Sequence, residues 1–489
     1  MAETKPIKLL EISGKSWMGG IALQQYSPMG GIFLRATNFD PFEKLGIFKT
    51  SLQGTQQGAS TLTTGGFFNV AVTISTHSYF YNFGDATKVY RVRIADGQTV
   101  DYSSKITDIT TIEGAIQYKS KVIYASPTSV KANSLDLALA NQVGLLSVTS
   151  GGVHVMHIGP DRNLYGTNIN SVFKITSVSG TTGNSATYLT FEDDVQLRDL
   201  SDDGKHLVIA GDVNPDPSNN VLGDFRCFVA FWNMKSQDLS QYYEFKDNSI
   251  YFIERIEDEI FVHGRNNIYI CSIDSPPQII ANFRGNAALA SSFTTPQPGS
   301  VVSKNNNIIM WGGTGTTDIW AYGRYHPSMD KILFQPYSLT DTQYRSLFWD
   351  GTKLWVTTVN NKMYEFGTTN SRQASTMELV DIDFKQPHEF AFVKVVLVTP
   401  MTGSPESVRI QALTGDGDRI VFDDDGTGFD ASGFGNITSH IFYPKSQGDS
   451  TDVAMFEDIT NFIIINNRCE IRRIEFWGVP LEPDQNLMW

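Results

Sequence analysis

Short hydrophobic runs recur along the chain between about residue 70 and residue 370, and each run is bounded by Gly, Asn, Asp or other turn residues. Runs of this kind, rich in Val, Ile, Leu, Tyr and Phe, predict short β-strands. They come in pairs separated by a polar gap, as expected for antiparallel hairpins. Equivalent points in the seven pairs are Ser78, Lys121, Asn163, Lys205, Glu259, Asn307 and Lys353.

The spacing of these points is nearly regular. Successive separations are 43, 42, 42, 54, 48 and 46 residues, and the longest contains a polar insertion from Asp212 to Asn220. A period of about 40 to 50 residues is that of a four-stranded propeller blade. One such sheet cannot shield both of its faces from water, so neighbouring sheets must stack until a ring closes. The pattern predicts an all-β protein with a β-propeller of approximately seven blades, and unrelated hairpins in a large sandwich remain the alternative.

The pattern changes around residue 375. Longer strands are predicted at 377–384, 391–398, 407–413, 419–422, 440–443, 461–465 and 469–477. Antiparallel strands at this spacing favour a C-terminal β-sandwich of the jelly-roll type. The predicted organisation is an extended N-terminal arm or first strands at 1–65, the propeller at 66–375 and the sandwich at 376–489.

Two parts of the chain allow more than one interpretation. The first 65 residues are Gly-rich and irregular, and they either complete a blade or reach a neighbouring subunit. Weak helical periodicity occurs at 133–147, as a short helix or loop, and at 454–463.

Composition narrows the class of protein further. Charged residues make up 18% of the chain and the net charge is −14, which disfavours nonspecific binding to duplex DNA. The three cysteines, Cys227, Cys271 and Cys469, lie in hydrophobic stretches without CxxC spacing, so buried thiols are expected. The N-terminus lacks the features of a secretory signal, and no hydrophobic run is long enough to span a bilayer. These features predict a soluble protein made in the cytoplasm.

One loop offers the best candidate for a metal site. Asp416, Asp418 and the acidic stretch from Asp423 to Asp430 place carboxylates at alternate positions among glycines, as in calcium loops. The twelfth position counted from Asp423 is Phe434, where a bidentate Glu is expected. A solvated acidic turn is therefore preferred, with weak calcium binding as the alternative. No metal or cofactor is predicted.

The histidines do not form a predicted site. His154 and His157 point to opposite faces of a strand, which favours ordinary hydrogen bonding over metal ligation. His206 and His263 are interpreted as polar strand residues.

No catalytic motif was found. The segment from Ser201 to Val208 resembles the Asp-box of sialidases, but Asp203 and Gly204 are adjacent, so a turn that opens a strand is predicted, as at Asp350. The sequence contains no P-loop, GxSxG or HExxH motif. We therefore predict no catalytic residue. Aromatic residues that form either blade cores or a surface for sugars or protein partners are Trp311, Trp320, Tyr322, Tyr325, Trp349 and Trp355.

The segments 28–46, 381–384 and 407–418, together with the degenerate propeller units, resemble the β-propeller structural proteins of tailed bacteriophages. The tail hub and nozzle components of short-tailed phages are the nearest type. The resemblance implies a non-enzymatic virion protein of the tail, made in the host cytoplasm.

The same resemblance implies specific partners. We expect a multi-copy hub, nozzle or adaptor that forms a homo-oligomeric ring, binds other tail or neck proteins and anchors fibres. A passive lining of a DNA channel is compatible with this role, whereas membrane binding and sequence-specific nucleic-acid binding are not expected. The alternative is a carbohydrate-binding or glycan-degrading propeller protein associated with a tail.

Overall fold

Seven separate four-stranded sheets contain most of the strands in this computed structural model. The residues that the structure describes are 6–13, 33–37, 47–50, 54–57, 66–84, 88–106, 111–138, 142–213, 226–282, 301–304, 308–312, 322–326, 331–334, 344–358, 362–366, 372, 374–379, 382–402, 406–414, 419–421, 429–430, 436–444 and 455–480.

The strands follow one another in chain order through the seven sheets, which we call blades 1 to 7. Three strands come first: β1 (Ile7–Ser13), β2 (Phe33–Thr37) and β3 (Thr55–Gln56). Blade 1 contains β4 (Gly66–Ile74), β5 (His77–Gly84), β6 (Val89–Arg93) and β7 (Thr99–Asp101), followed by a 3-10 helix (Ser103–Lys105). Blade 2 contains β8 (Gly114–Tyr118), β9 (Lys121–Ala125), β10 (Ser129–Ser134) and β11 (Val143–Ser147). Blade 3 contains β12 (Met156–Ile158), β13 (Leu164–Asn168), β14 (Ser171–Ile175) and β15 (Ser185–Thr190).

The remaining four blades repeat this order. Blade 4 contains β16 (Val195–Asp202), β17 (Leu207–Val213), β18 (Arg226–Trp232) and β19 (Gln241–Phe245). Blade 5 contains β20 (Ile250–Ile256), β21 (Glu259–Gly264), β22 (Asn267–Ser272) and β23 (Ser275–Asn282). Blade 6 contains β24 (Val301–Lys304), β25 (Ile308–Gly312), β26 (Tyr322–His326) and β27 (Lys331–Phe334). Blade 7 contains β28 (Tyr344–Trp349), β29 (Leu354–Thr358), β30 (Met363–Phe366) and the early strand β3.

The blades form a closed ring. The first strand of each blade contacts the first strand of the next, and β28 of blade 7 contacts β4 of blade 1. Blade 7 is completed by the N-terminal part of the chain, because β3 pairs with β30 and the Gln57 N–H donates to the Met363 carbonyl at 2.9 Å. Six of the seven predicted hairpins are confirmed, and each corresponds to the second strand of a blade and the strand that follows it. In the sixth pair the second strand is predicted at 318–322, of which 318–321 lie outside the described residues, and β26 begins at Tyr322.

Hydrophobic clusters lie between neighbouring blades. Each cluster combines side chains of two adjacent sheets, for blades 1 and 2, 2 and 3, 3 and 4, 4 and 5, and 7 and 1. Large aromatic rings bridge them: Trp232 meets Tyr165 edge-on at 5.7 Å between blades 4 and 3. The stacking of sheets that the sequence pattern demands is thus how these residues are removed from water.

Two kinds of turn join the first and second strands. In blades 1, 2 and 5 the first turn residue, Ser75, Lys119 or Glu257, has a positive φ of 56°, 53° or 52°, as in two-residue hairpins. In blade 7, Asp350 Oδ1 accepts the backbone N–H groups of Thr352 and Lys353 at 2.8 and 2.7 Å. Asp203 does the same for Lys205 and His206 at 2.8 and 2.6 Å in blade 4. The turn predicted at these two aspartates is therefore observed.

A ten-stranded sheet contains the C-terminal strands together with the first two strands of the chain. Its members are β1, β2, β31 (Ala374–Leu379), β32 (Ile382–Met401), β33 (Ser407–Thr414), β34 (Arg419–Val421), β35 (Phe429–Asp430), β36 (Ile437–Phe442), β37 (Met455–Asn467) and β38 (Ile471–Pro480). The described strands form one hydrogen-bonded network in which β32 pairs with β36, β37 and β38. A sandwich of two separate layers stays a prediction.

The chain divides into two compact units. One comprises 1–53, 331–338 and 369–489, and the other comprises 54–330 and 339–368. The first 65 residues differ from a single arm, because β1 pairs with β38, β2 pairs with β31, and β3 joins blade 7. Of the two interpretations of this segment, completion of a blade holds for β3.

Neither predicted segment is helical where the structure describes it. In the first, for which a short helix or a loop is predicted, β10 and β11 enter at the two ends and the described residues after β10 form a loop in which Leu137 has a φ of 55°. The second segment lies almost entirely in β37, whose Ile463–Ile465 stretch pairs with β31. Cross-strand pairing outweighs a weak helical period because β-branched residues pack well on a pleated surface. No helix among the described residues is long and apolar enough to cross a membrane.

Candidate functional site

A cavity of about 240 Å³ lies where the first strands of all seven blades converge. Its walls include Phe68 of β4, Ala115 of β8, Asp199 of β16, Glu254 of β20 and Phe348 of β28. Because it lies on the ring axis, we call it the axial cavity. Pockets that bind drug-sized ligands usually measure about 300 to 1,000 Å³, so this cavity suits a smaller molecule.

Asp199 connects two blades at the wall of the cavity. Its Oδ1 accepts the backbone N–H of Leu200 at 2.8 Å, and its Oδ2 accepts the N–H of Ile253 in blade 5, also at 2.8 Å. Burial raises the pKa of Asp199 to about 7, although both hydrogen bonds favour the charged form. The carboxyl group therefore titrates near neutral pH.

Glu254 is the second carboxyl group of the cavity. Its side chain retains some accessible surface because it faces the cavity, but it lies deep within the protein. Burial and the nearby carboxylates of Asp199 and Asp202 raise its pKa to about 8. Asp199 thus raises the cost of charging Glu254.

The positively charged groups near the cavity have carboxylate partners of their own. Arg198 Nε donates to Asp212 Oδ2 at 2.6 Å. Asp202 bridges His157 Nε2 at 2.8 Å and Arg255 at 3.1 Å, which joins blades 3, 4 and 5. These pairs account for the two basic side chains that line the cavity, Arg198 and His157.

Further polar bonds join the inner strands of neighbouring blades. Asn69 in blade 1 donates to the Leu347 carbonyl of blade 7 at 2.9 Å. Asp212 in blade 4 accepts the Ile250 N–H of blade 5 at 2.9 Å. A large share of the polar groups near the axis is therefore used to hold the ring together.

The structure places the predicted histidines apart from one another. His154 is buried and its Nδ1 lies 2.8 Å from the Thr167 carbonyl, whereas His157 bonds to Asp202. His206 bonds to Asp203 at 2.9 Å. His263 differs from the expected polar strand residue: it packs against Phe252 and Trp311, and burial lowers its pKa to about 4.

The other predicted groups fall into two classes. Asp416, Asp418, Phe434 and the acidic stretch from Asp423 onward lie outside the described residues, apart from the backbone of β35 up to Asp430. The three cysteines are buried and unbridged, as predicted, and burial raises the pKa of the Cys271 and Cys469 thiols to about 12.

Most residues of the predicted aromatic cluster either lie in blade cores or fall outside the described part of the chain. Trp311 and Trp355 are 0% and 1% exposed, which excludes them from a surface patch. Trp320 and the side chains of Tyr322 and Tyr325 lie outside the described residues. Trp349 is half-buried.

An aromatic row that sequence analysis missed lies on the ten-stranded sheet. Phe392 of β32 stacks on Trp477 of β38 at 5.5 Å, with 21° between the ring planes. On its other side Phe392 meets Tyr443, which is 61% exposed, edge-on at 6.1 Å. The three residues are far apart in the sequence, and only the pairing of β32 with β36 and β38 brings them together.

Comparison with known proteins supports the fold alone. No protein-family model and no curated protein matches the sequence. The chain is an all-β protein with a β-propeller. Solved propellers of similar fold include the WD40 domain of Doa1 (11% identity, TM-score 0.45, 66% of this chain and 97% of that one) and the Dos1 propeller (10%, 0.40, 60% and 76%).

An enzyme is also among the similar structures. Virginiamycin B lyase from Staphylococcus aureus is 12% identical, with a TM-score of 0.44 over 64% of this chain and 98% of that one. At such low identity the likeness concerns the fold and does not indicate whether this chain is an enzyme.

Proposed function

We propose that this chain is a structural protein of a tailed-bacteriophage virion. In this role it is a multi-copy hub, nozzle or adaptor that binds neighbouring tail or neck proteins and anchors fibres. It has no catalytic task. The proposal rests first on the resemblance of segments 28–46, 381–384 and 407–418 to tail propellers of this type.

The observation that carries the proposal is the use of polar groups at the ring axis. Asp212, Asp202 and Asn69 each form hydrogen bonds that cross from one blade to another. Catalytic groups need geometry that is free to engage a substrate, whereas these groups are held in contacts that stabilise the ring. A rigid closed scaffold is what a load-carrying assembly component requires.

The size of the axial cavity bears on the predicted DNA channel. A duplex, whose major groove alone is about 12 Å wide, does not fit a cavity of about 240 Å³. The cavity wall also carries the carboxyl groups of Asp199 and Glu254, which would repel phosphates if charged. If DNA passes this protein, it passes through a ring of subunits and not through the propeller.

The test is to locate the protein in particles. Purified virions from cells that produce the chain should contain it in several copies per particle by mass spectrometry. Cryo-electron microscopy should then show propeller density arranged around the tail axis. Absence of the chain from purified particles would refute the proposal.

A second candidate function, carbohydrate binding, is favoured by the aromatic row of Phe392, Trp477 and Tyr443. Aromatic rings at the surface provide stacking surfaces for sugar rings. Charged neighbours stand beside the row, since Glu475 accepts the Trp477 indole N–H at 3.1 Å and forms an ion pair with Arg473 at 2.6 Å. Glu475 itself is buried and both of its oxygens are engaged, so the Arg473 guanidinium, whose side chain is 32% exposed, is the group that can donate to sugar hydroxyls.

Binding assays distinguish this candidate from a purely structural role. The full chain is tested against host surface polysaccharides by isothermal titration calorimetry. Tyr443→Ala should weaken binding by about tenfold, whereas Tyr242→Ala, which removes a tyrosine that is 39% exposed on blade 4, should leave it unchanged. Absence of saturable binding by the unmodified chain excludes the carbohydrate-binding role and leaves the virion proposal standing.

A further inference from the structure

The axial cavity has two chemically different sides. The residues that blades 6, 7 and 1 contribute are hydrophobic except for Asn69, namely Val301, Val302, Leu347, Phe348 and Phe68. Blades 4 and 5 contribute both acidic residues, Asp199 and Glu254, together with Arg198, Leu200, Tyr251, Phe252 and Ile253. A ligand that matches both sides must carry a hydrocarbon part and a positively charged or hydrogen-bonding end.

The charges around the cavity are unevenly paired. Asp212 pairs with Arg198, and Asp202 pairs with both His157 and Arg255. Among the residues that the structure describes, no cationic side chain pairs with the two remaining acids. Asp199 is held by backbone N–H groups, and Glu254 receives only the backbone N–H of Arg255.

Glu254 itself points to a missing partner. It lines the cavity and is partly accessible there, and no described side chain forms a hydrogen bond or an ion pair with its carboxyl group. A buried carboxylate without a counter-charge is costly, and a cation placed beside it removes that cost. The cavity next to Glu254 has room for such a cation.

We propose that the axial cavity binds a primary alkylammonium ion. The ammonium group lies at Glu254 and Asp199, and the short hydrocarbon chain lies against the hydrophobic side formed by blades 6, 7 and 1. An ammonium group donates three hydrogen bonds, which suits two carboxyl groups on one wall. The volume of about 240 Å³ restricts the ligand to a small amine.

A divalent metal ion fits the same wall less well. Calcium takes six to eight oxygen ligands, which is more than the four carboxylate oxygens that Asp199 and Glu254 supply. The hydrophobic residues on the other side of the cavity supply no ligands for a metal ion, whereas they can pack against an alkyl chain. The inference goes beyond the virion role and is independent of it.

The experiment is a titration of the full chain with n-butylammonium chloride at pH 8, followed by isothermal titration calorimetry and thermal unfolding. Sodium chloride at equal ionic strength, 1-butanol and calcium chloride serve as comparison ligands. We expect saturable binding of n-butylammonium and an increase in Tm, with no effect of 1-butanol or sodium.

Matched variants then locate the site. Glu254→Gln should weaken n-butylammonium binding by about tenfold or more, as expected when a charged hydrogen-bond partner is removed. Asp199→Asn should weaken it as well. Glu192→Gln removes the same charge from an exposed position between β15 and β16 and should bind like the unmodified chain.

Three results would overturn the proposal. These are an absence of saturable binding, equal binding by Glu254→Gln in a protein with unchanged far-UV circular dichroism, or calcium binding that replaces amine binding and is lost in Glu254→Gln. Loss of binding in Glu254→Gln with retained binding in Glu192→Gln supports it.

Discussion

The carboxylate of Asp199 in blade 4 accepts the backbone N–H of Ile253 in blade 5 at 2.8 Å. This bond spans 54 residues of sequence and joins the first strands of two neighbouring blades. The residue after Ile253 is Glu254, whose carboxyl group faces the same cavity. The hydrogen bond that joins blades 4 and 5 is therefore made by Asp199, one of the two acidic residues of the cavity, and by the neighbour of the other, Glu254.

The free energy of unfolding should fall as the pH rises from about 7 to 9, above the range in which the buried His263 has the opposite effect. Asp199 and Glu254 have ordinary pKa values of 3.8 and 4.5, which the folded protein raises to about 7 and about 8. Between these limits the folded chain holds protons that the unfolded chain has released, so the stabilisation is complete below about pH 4 and is lost as the pH passes through 7 and 8. Urea unfolding at pH 5, 7 and 9 measures this.

Glu254→Gln separates this effect from general pH dependence. The amide stays neutral, so the variant should be more stable than the unmodified chain by about 1 to 2 kcal/mol at pH 9 and similar at pH 5. Equal pH profiles for the two proteins would show that Glu254 is charged at little cost.

Gly114→Ala should destabilise the ring by about 3 kcal/mol. A Cβ at Gly114, in the first strand of blade 2, would overlap the backbone carbonyl oxygen of His154 in blade 3. The backbone cannot rotate away as a side chain can. Gly144→Ala in β11 is the control, because a Cβ there meets nothing within 4 Å. Chemical denaturation of both variants should separate them clearly, and equal stabilities would contradict the close approach of blades 2 and 3.

Gln57→Pro should weaken closure of the ring. The proline removes the N–H that donates to the Met363 carbonyl at 2.9 Å, and it also removes the side-chain bond to Glu365 at 2.9 Å. We expect a loss of about 2 to 3 kcal/mol in the free energy of unfolding and faster limited proteolysis. Gln57→Ala loses only the side-chain bond and should cost about 1 kcal/mol. If the two variants behave alike, the backbone bond contributes little to closure.

Asp350→Ala should cost about 1 to 2 kcal/mol. The Asp350 side chain accepts the backbone N–H groups of Thr352 and Lys353, and its Oδ2 accepts the Trp355 indole N–H at 2.8 Å. Without it, the buried edge of the Trp355 indole loses this acceptor. Asp350→Asn keeps an acceptor oxygen and should recover part of the loss. Thermal unfolding of the two variants decides, and an unchanged Tm for Asp350→Ala would count against the contribution of the turn.

Most of the propeller was predictable from local sequence. The seven predicted starting points fall at or next to the second strand of each blade, because the middle strands are the most buried and carry the clearest hydrophobic runs. The turns at Asp203 and Asp350 were predictable for a similar reason, since an aspartate that caps its own turn acts over three residues. The outer strands were harder to predict because they lack continuous hydrophobic runs: β19 and β7 are largely exposed or half-buried.

The candidate site was not predictable. Nothing in the residues around Asp199 or Glu254 distinguishes them from the other 50 acidic residues among the 52 in the chain. The aromatic row was missed because Phe392 and Trp477 lie in β32 and β38 and Tyr443 directly follows β36, and the pairing of these three strands is nonlocal. The predicted aromatic residues instead included Trp311 and Trp355, which are buried because large rings fill the space between blades.

The sequence by itself determined the all-β class, the approximate number of blades and the burial of the cysteines, since each depends on the hydrophobic character and turn chemistry of residues close together in the chain. Tertiary structure alone decided that β3 completes blade 7, that β1 and β2 join the C-terminal sheet, and that Asp199 and Glu254 share one cavity. The reason is physical: a strand's backbone groups bond to any partner of suitable register, and a carboxyl group changes its pKa only when folding removes water and brings other charges near.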